Sequence, residues 1–265
     1  MNDLTPCPNL IIMGAQKSGT TSLHEYLKVH PDIFMSSPIK EPGLFLGEER
    51  ARTFWNTAGQ PIASLHELLH ERMLQGYQGE RWFGDGSTHY TIGQRSRAWD
   101  IPQRMQAANP DMRFIYILRN PVERILSNYH HSRSKGRCQG TLTDFLASKE
   151  GPGSILTSRY WYQLEAYLEL FPANQFHVVV FEEFIRQPHH HMHQVWDFLE
   201  LSPPQTPPNF ATHNAGSAAR TKVSESDDDL SRILGVLRKD VENLQRWLGR
   251  DIPDWSNLSF ATARN

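Results

Sequence analysis

A short polar segment near the amino terminus carries the residue types that bind an anion. It follows the mostly apolar residues 9–13 and consists of Gln16, Lys17, Ser18, Gly19, Thr20, Thr21 and Ser22. An apolar strand that runs into a Gly/Ser/Thr turn and then into a helix leaves backbone N–H groups unpaired at the helix start, where the helix dipole adds positive potential. Lys17 adds a flexible positive charge, Gly19 allows close approach of the backbone, and the threonine hydroxyls donate hydrogen bonds. The segment predicts a phosphate-binding turn.

The position of the lysine distinguishes this turn from the P-loop of nucleotide hydrolases. In a P-loop the lysine directly precedes a Ser or Thr at the helix start, whereas Lys17 precedes Ser18 and Gly19. A kinase that uses Mg²⁺ also needs an aspartate after a second apolar strand. The best second strand, residues 113–118, is followed by Arg119. An arginine there favours a second phosphate, and no metal site is predicted.

Two segments together resemble the donor-binding motifs of sulfotransferases that use 3′-phosphoadenosine 5′-phosphosulfate (PAPS). These are residues 16–23 and residues 119–129, and they occur in the family's order. Residues 40–42, Lys-Glu-Pro, are similar to a segment of the carbohydrate-modifying, heparan sulfate type of branch, and the similarity extends from about residue 9 to residue 184. The resemblance implies PAPS as co-substrate, no required metal, and transfer of a sulfuryl group to an acceptor hydroxyl. The products would be a sulfate ester and adenosine 3′,5′-bisphosphate.

The resemblance also implies roles for the residues that bind the donor. Residues 16–22 would surround the phosphosulfate, and Lys17 would neutralise the oxygen between sulfur and phosphorus as negative charge develops there. Arg119 would hold the 3′-phosphate as a charged fork, with Ser127 as a hydroxyl donor. A later polar loop that could close over the nucleotide contains Asn214, Gly216 and Arg220.

Glu41 is the first candidate for the base that accepts the proton of the acceptor hydroxyl. Burial in a closed site would raise the pKa of this carboxyl toward neutrality, which suits a general base. The alternative is an exposed loop acid paired with Lys40. His89 is the second candidate, because another sulfotransferase branch uses a histidine base, and Asp85 is the third. The predicted acceptor contacts are Lys40, Glu41, Asp85 and His89.

The pattern of apolar runs predicts a single α/β domain over residues 1–265. Strands are predicted at residues 9–13, 33–35, 81–85, 113–118 and 176–181, the third as a strand or turn. Helices are predicted at 48–56, 64–75, 98–109 with a break near Pro102, from Pro121 onward, at 160–171 and at 230–248. Alternation of strands and helices indicates a doubly wound parallel sheet with helices on both faces and a P-loop-like phosphate-binding turn. The helix after Pro121 would carry Arg124, Ser127, Asn128 and His131 along one side.

Composition limits the classes of partner. The net charge of −2 over 265 residues provides no general attraction for nucleic acid or for an anionic membrane, so neither is expected as a partner. Two cysteines are too few for a disulfide framework, and the polar residues 1–8 leave no room for a signal peptide, so we expect a cytoplasmic protein. The oligomeric state is left open.

Other chemistry-bearing residues have alternative explanations. The histidines of residues 189–193 would spread around a helix without carboxylate or cysteine partners, which favours surface histidines over a metal site. A group of aromatic residues could line an acceptor cleft or pack in the core: Trp55, Trp82, Trp99, Trp161 and Tyr160.

The sequence favours a sulfotransferase with a saccharide, glycoconjugate or small natural product as acceptor. A small-molecule kinase and a nucleotide-binding domain without catalysis are the alternatives.

Overall fold

Five parallel strands form the centre of the protein in a computed structural model that describes residues 6–92, 100–210, 228–256 and 258. The strands are β1 (Leu10–Gly14), β2 (Ile33–Met35), β3 (Trp82–Asp85), β4 (Arg113–Leu118) and β5 (Phe176–Val180). They pair in the order β2-β3-β1-β4-β5, and every pair is parallel. The predicted parallel sheet is therefore confirmed.

Eleven helices connect and cover the strands in the described part of the chain. They are α1 (Thr20–Leu27), α2 (Glu48–Thr57), α3 (Leu65–Glu67), α4 (Ile101–Ala108), α5 (Pro121–Ser134), α6 (Leu142–Ala147), α7 (Gly151–Thr157), α8 (Tyr160–Leu168), α9 (Phe181–Arg186), α10 (Pro188–Phe198) and α11 (Asp228–Leu248). A π-helix continues α3 over Leu68–Met73, and 3₁₀ turns cover Leu44–Leu46, Thr88–Thr91, Ala173–Gln175 and Pro253–Trp255.

Helices cover both faces of the sheet, because side chains of successive strand residues point to opposite sides. In β1, Ile11 and Met13 belong to one apolar cluster and Leu10 and Ile12 to the other. The first cluster includes residues of α4, α5, α8 and α11, and the second includes residues of α1 and α10. All five residues of β1 are buried, as expected for a strand that packs on both faces.

The strand order reverses between β1 and β4. After β1 the chain forms β2 and β3 on one side, and it then crosses to form β4 and β5 on the other. The helix after β1 and the helix after β4 pack on opposite faces, so a crevice opens between the carboxyl ends of these two strands. Ligands of doubly wound sheets bind in such a crevice, and the polar turn and Arg119 follow β1 and β4 directly.

Several element boundaries differ from the sequence-based expectation. The helix predicted at 64–75 is one α-helical turn followed by a π-helix. Helix α4 begins at Ile101 within the span predicted at 98–109, and Pro102 lies in its first turn, where a missing N–H costs no hydrogen bond. Helices α6 and α7 were not predicted, and Phe181 begins α9 instead of ending β5.

A buried carboxylate on α11 caps the start of α8. Asp240 accepts hydrogen bonds from the backbone N–H groups of Trp161, at 2.9 Å, and Tyr162, at 3.0 Å. Only 4% of Asp240 is exposed, and burial raises the pKa of its carboxyl to about 6. This contact joins the carboxyl-terminal helix to the main domain.

We expect Asp240→Asn to remove a pH dependence of stability. Because folding raises this pKa from 3.8 to about 6, the folded state favours the protonated carboxyl. The free energy of unfolding of the parent chain should therefore rise relative to the variant as pH falls from about 7 to about 4, by about 2 kcal/mol. Urea unfolding of both chains at the two pH values measures the difference, and an equal difference at both would contradict the raised pKa.

Candidate active site

The polar turn after β1 is held against β4 by the backbone. Ala15 N donates to Ile117 O at 2.7 Å, and Ser18 N donates to Ala15 O at 3.2 Å. Lys17, with a φ of 71°, adopts a left-handed conformation that costs a non-glycine residue about 1 kcal/mol or more. Helix α1 begins directly after Gly19, so its first N–H groups point toward the crevice.

A cleft of about 460 Å³ lies over this turn. Its lining consists of Gln16, Lys17, Gly19, Thr20, Thr21, Ser22, Tyr26, Glu41, Thr88, Arg119, Ser127, His131, Phe181, Phe184, Ile185, Pro188 and Phe210. The structure thus brings the lysine turn, the two residues predicted for a second phosphate, and Glu41 to one cavity. Ser18 belongs to the turn but is fully buried.

Lys17 lies among other positive charges. Burial lowers the pKa of its ammonium group, and Arg119 and Arg124 lower it further. No carboxylate forms an ion pair with Lys17 within the described residues. Its charge is therefore available to an anionic ligand.

Arg119 follows β4 and faces the same cleft. Its guanidinium lies 5.5 Å from the ring centroid of Phe181, and its Nη2 lies 3.3 Å from Glu123 Oε2. The Tyr160 hydroxyl donates to the backbone oxygen of Arg119 at 2.7 Å. Ser127 lies farther along α5 and lines the cleft with Arg119.

Lys40 connects the turn to Glu41. Its Nζ donates to Glu41 Oε1 at 2.8 Å and to Thr20 Oγ1 at 3.4 Å. The other oxygen of Glu41 accepts from Thr88 Oγ1 at 2.9 Å and lies 3.6 Å from His89 Nδ1. Glu41 is paired with Lys40, as the alternative interpretation held, and it also lines the cleft.

The expected direction of the Glu41 pKa shift is wrong. Burial does oppose ionisation of this carboxyl, but Lys40, His89 and the Thr88 hydroxyl all favour the ionised form. Their combined effect holds the pKa of Glu41 below its ordinary value. Glu41 is ionised at neutral pH and accepts protons only as a weak base.

His89 faces Glu41 from a partly buried position. Its ring packs edge-on against Phe54, with centroids 4.6 Å apart. Burial lowers the pKa of this imidazole, Glu41 opposes the shift, and Lys40 adds to it. The net lowering keeps His89 neutral at physiological pH, so it too can accept a proton.

Asp85 lies beneath the cleft and supports its wall. The residue is fully buried, and its carboxylate accepts from Ser87 N at 2.9 Å, Ser87 Oγ at 2.5 Å and Tyr90 OH at 2.5 Å. Ser87 Oγ in turn accepts from Gly43 N at 2.8 Å. The hypothesis that Asp85 contacts the acceptor is incompatible with this placement, since the residue has no surface on the cleft. Its burial raises the pKa to about 6.

Other predicted residues fall outside the cleft or outside the described residues. Four of them lie outside the described residues: Asn214, Gly216, Arg220 and Trp99. Trp55, Trp82 and Tyr160 are buried in the core, and Trp161 packs against Trp247. The histidines of residues 189–193 lie on α10, and the described residues contain no cluster of His, Cys, Asp and Glu able to hold a metal.

An apolar wall of the cleft was not predicted from the sequence. It is formed by Tyr26, Phe181, Phe184, Ile185 and Phe210. Tyr26 packs edge-on against Phe210 with centroids 5.0 Å apart. The sequence did carry a signal for this wall. A helix begins directly after β5, and that position also lies at the carboxyl edge of the sheet.

An anion-binding turn at the reversal point of a parallel sheet defines a nucleotide-binding fold of the P-loop type. The chain belongs to the sulfotransferase domain family, whose family model matches residues 8–215. The resemblance inferred from the two motifs is thereby confirmed.

Two relatives carry heparan sulfate in their names. The chain is 28% identical over 213 residues to the bifunctional heparan sulfate N-deacetylase/N-sulfotransferase of Drosophila melanogaster, which covers 74% of this chain and 20% of that protein. It is 28% identical over 212 residues to human heparan sulfate glucosamine 3-O-sulfotransferase 6, which covers 77% of this chain and 55% of that protein. The chain thus spans at most about half the length of these two relatives.

A solved structure supports the fold over nearly the whole chain. The sulfotransferase from Alicyclobacillus acidocaldarius superposes with a TM-score of 0.72 at 27% identity, covering 94% of this chain and 99% of that one. None of the described helices combines the length and the apolar character needed to cross a bilayer.

We expect Gly19→Ala to destabilise the protein more than the same substitution at Gly59, a glycine that also has a positive φ. Gly19 has a φ of 92°, and a Cβ there would lie 2.9 Å from the Phe181 ring. Gly59 has a φ of 74°, and a Cβ there meets no described atom within 4 Å. The Gly59→Ala control should cost about 1 kcal/mol, and Gly19→Ala about 2–3 kcal/mol, because overpacking adds to the backbone strain. Urea unfolding measures both, and equal losses would contradict the close packing.

Proposed function

We propose that this chain transfers a sulfuryl group from PAPS to an acceptor hydroxyl, with release of adenosine 3′,5′-bisphosphate. The observation that supports this most is the presence of two separate cationic positions on one cleft. Lys17 and the start of α1 form the first, and Arg119 with Ser127 forms the second. A nucleotide with phosphates on two different carbons of its ribose matches such an arrangement.

The donor would lie across the crevice between β1 and β4. Its 5′-phosphosulfate would meet the backbone N–H groups of the turn and Lys17. Its 3′-phosphate would accept bonds from Arg119 and from the hydroxyl of Ser127. The apolar wall around Phe181 and Phe210 offers aromatic faces to the adenine base.

In the transfer, the acceptor oxygen attacks sulfur while the bond between sulfur and the phosphate oxygen breaks. Negative charge grows on that leaving oxygen, and Lys17 stabilises it there. Because the turn that carries Lys17 is already in place before the donor reacts, little reorganisation of the protein is needed during the reaction.

Glu41 is the proposed base that removes the proton of the acceptor hydroxyl. Its carboxylate is ionised, and Lys40 and Thr88 fix its two oxygens. A base of low pKa is effective only when proton removal accompanies bond formation to sulfur, since the hydroxyl becomes acidic as the bond forms. His89 is the alternative base, and its Nδ1 lies 3.6 Å from Glu41 Oε2, which is too far for a hydrogen bond between the two.

The proposed acceptor is the hydroxyl of a saccharide, a glycoconjugate or a small natural product. The names of the two relatives and the Lys40–Glu41 pair support the first of these. The proposed unit is a single sulfotransferase domain over residues 1–265. Cys7 and Cys138 are free thiols, which supports a reducing compartment such as the cytoplasm.

The donor proposal predicts a preference for adenosine 3′,5′-bisphosphate over adenosine 5′-phosphate, because only the former engages Arg119. Arg119→Ala should weaken the bisphosphate about 10- to 100-fold and leave the monophosphate nearly unchanged. Isothermal titration measures both ligands. Equal affinities, or tighter binding of ATP with Mg²⁺, would favour the kinase alternative.

Replacement of the two candidate bases should separate their roles. Glu41→Gln keeps the shape and most contacts, so we expect kcat to fall about 100-fold or more while bisphosphate affinity changes little. His89→Ala should reduce kcat less. Turnover of PAPS with an oligosaccharide acceptor and with a phenolic acceptor provides the readout, and near-normal turnover in Glu41→Gln with loss in His89→Ala would assign the base to His89.

A further inference from the structure

Arg124 is a completely buried cation on α5. Its Nε donates to Ser158 Oγ at 2.5 Å, and its Nη2 donates to Ser154 O and Ser154 Oγ, both at 2.6 Å. Its Nη1 donates to the backbone oxygen of Gln16 at 3.4 Å. All of these acceptors are neutral. In the described parts of the chain, no Asp or Glu forms an ion pair with Arg124.

A buried charge without a counter-ion is costly to a folded protein. Buried arginines are ordinarily paired, because an unpaired buried charge destabilises the folded state relative to a well-packed apolar residue. The neutral hydrogen bonds of Arg124 offset only part of this cost. An anion that binds nearby would offset the rest of this cost.

The location of Arg124 indicates where that anion binds. The carbonyl that it contacts belongs to Gln16, the residue before Lys17 in the phosphate-binding turn. Arg124 does not line the cleft, so it lies behind the turn and not on its ligand-facing side. Ser127, one helical turn farther along α5, does line the cleft.

We propose that Arg124 is a positioning residue whose counter-ion is the 5′-phosphate group of the bound nucleotide. This inference rests on the proposed function. Arg124 holds the Gln16–Lys17 peptide in place and supplies positive potential through the turn without touching the ligand. Because the surrounding side chains exclude water, this potential is screened far less than that of a surface arginine.

The same charge acts on Lys17. After burial and Arg119, Arg124 is a further cause of the lowered pKa of Lys17. Burial lowers the pKa of Arg124 itself to about 10, so it stays protonated at neutral pH. Removal of the Arg124 charge should therefore make Lys17 harder to deprotonate.

The test compares Arg124→Gln with Arg124→Lys, and uses Arg81→Gln as a control that removes one charge far from the cleft. Arg81 precedes β3 at the opposite end of the sheet and pairs with Glu200. Calorimetry measures the Kd of adenosine 3′,5′-bisphosphate for each chain over a range of alkaline pH. Urea unfolding without ligand measures the stability of each.

We expect Arg124→Gln to weaken bisphosphate binding about tenfold at neutral pH and to move the alkaline loss of binding to higher pH. Arg124→Lys should bind within about threefold of the parent, and the control should bind like the parent. A residue with a purely structural role would lose ligand-free stability and affinity together, equally in both variants, with no change in the alkaline midpoint. Should Arg124→Gln fail to fold, Arg124→Met, which leaves no polar atom to satisfy, takes its place.

Parent-like affinity in Arg124→Gln, or equal losses in the Gln and Lys variants, would overturn this inference alone. Failure of the parent chain to bind the bisphosphate would overturn the proposed function, and this inference with it.

Discussion

The central constraint on this molecule is the pairing of β1 with β4, which continues past the end of the strand into the phosphate-binding turn. Ala15 N donates to Ile117 O at 2.7 Å, so the turn cannot move away from the strand that ends before Arg119. Lys17 and Arg119 are thereby held at one crevice, whose cleft both line. The sheet order, with its reversal at this pair, leaves the crevice open to a ligand.

Positive charge accumulates at the crevice without equivalent negative charge. Lys17, Arg119 and Arg124 lie close enough for the two arginines to lower the pKa of the lysine. Two of the cations pair with a carboxylate: Arg119 with Glu123, and Lys40 with Glu41 while it also contacts Thr20. Lys40 thus contacts both the polar turn and the proposed base.

The sequence was sufficient to predict the sheet and the residues that gather at its edge. Residues 113–118 are nearly all apolar, and the carboxyl ends of parallel strands share one edge, so Lys17 and Arg119 could be placed together before the fold was known, whereas Ser127 was assigned through the family resemblance. Local pattern could not predict contacts between distant segments. The pKa of Glu41 is lowered first by its sequence neighbour Lys40 and then by His89 and Thr88, whose approach from a different part of the chain was not predicted.

The sequence also did not predict the short helices or the role of a buried polar residue. Helices α6 and α7 are too short for an apolar period to become visible. Asp85 was considered as an acceptor contact because its residue type suits that role, but Ser87 and Tyr90 enclose it. Residue type alone does not distinguish a carboxylate that faces a ligand from one that fastens a loop.

The ring of Phe181 contacts both halves of the site. A Cβ on Gly19 would lie 2.9 Å from this ring, and the guanidinium of Arg119 lies 5.5 Å from its centroid. One aromatic side chain therefore packs against both the polar turn and Arg119. In the proposed donor complex, a substitution of Phe181 would therefore change the surroundings of the adenine base and of both phosphates together.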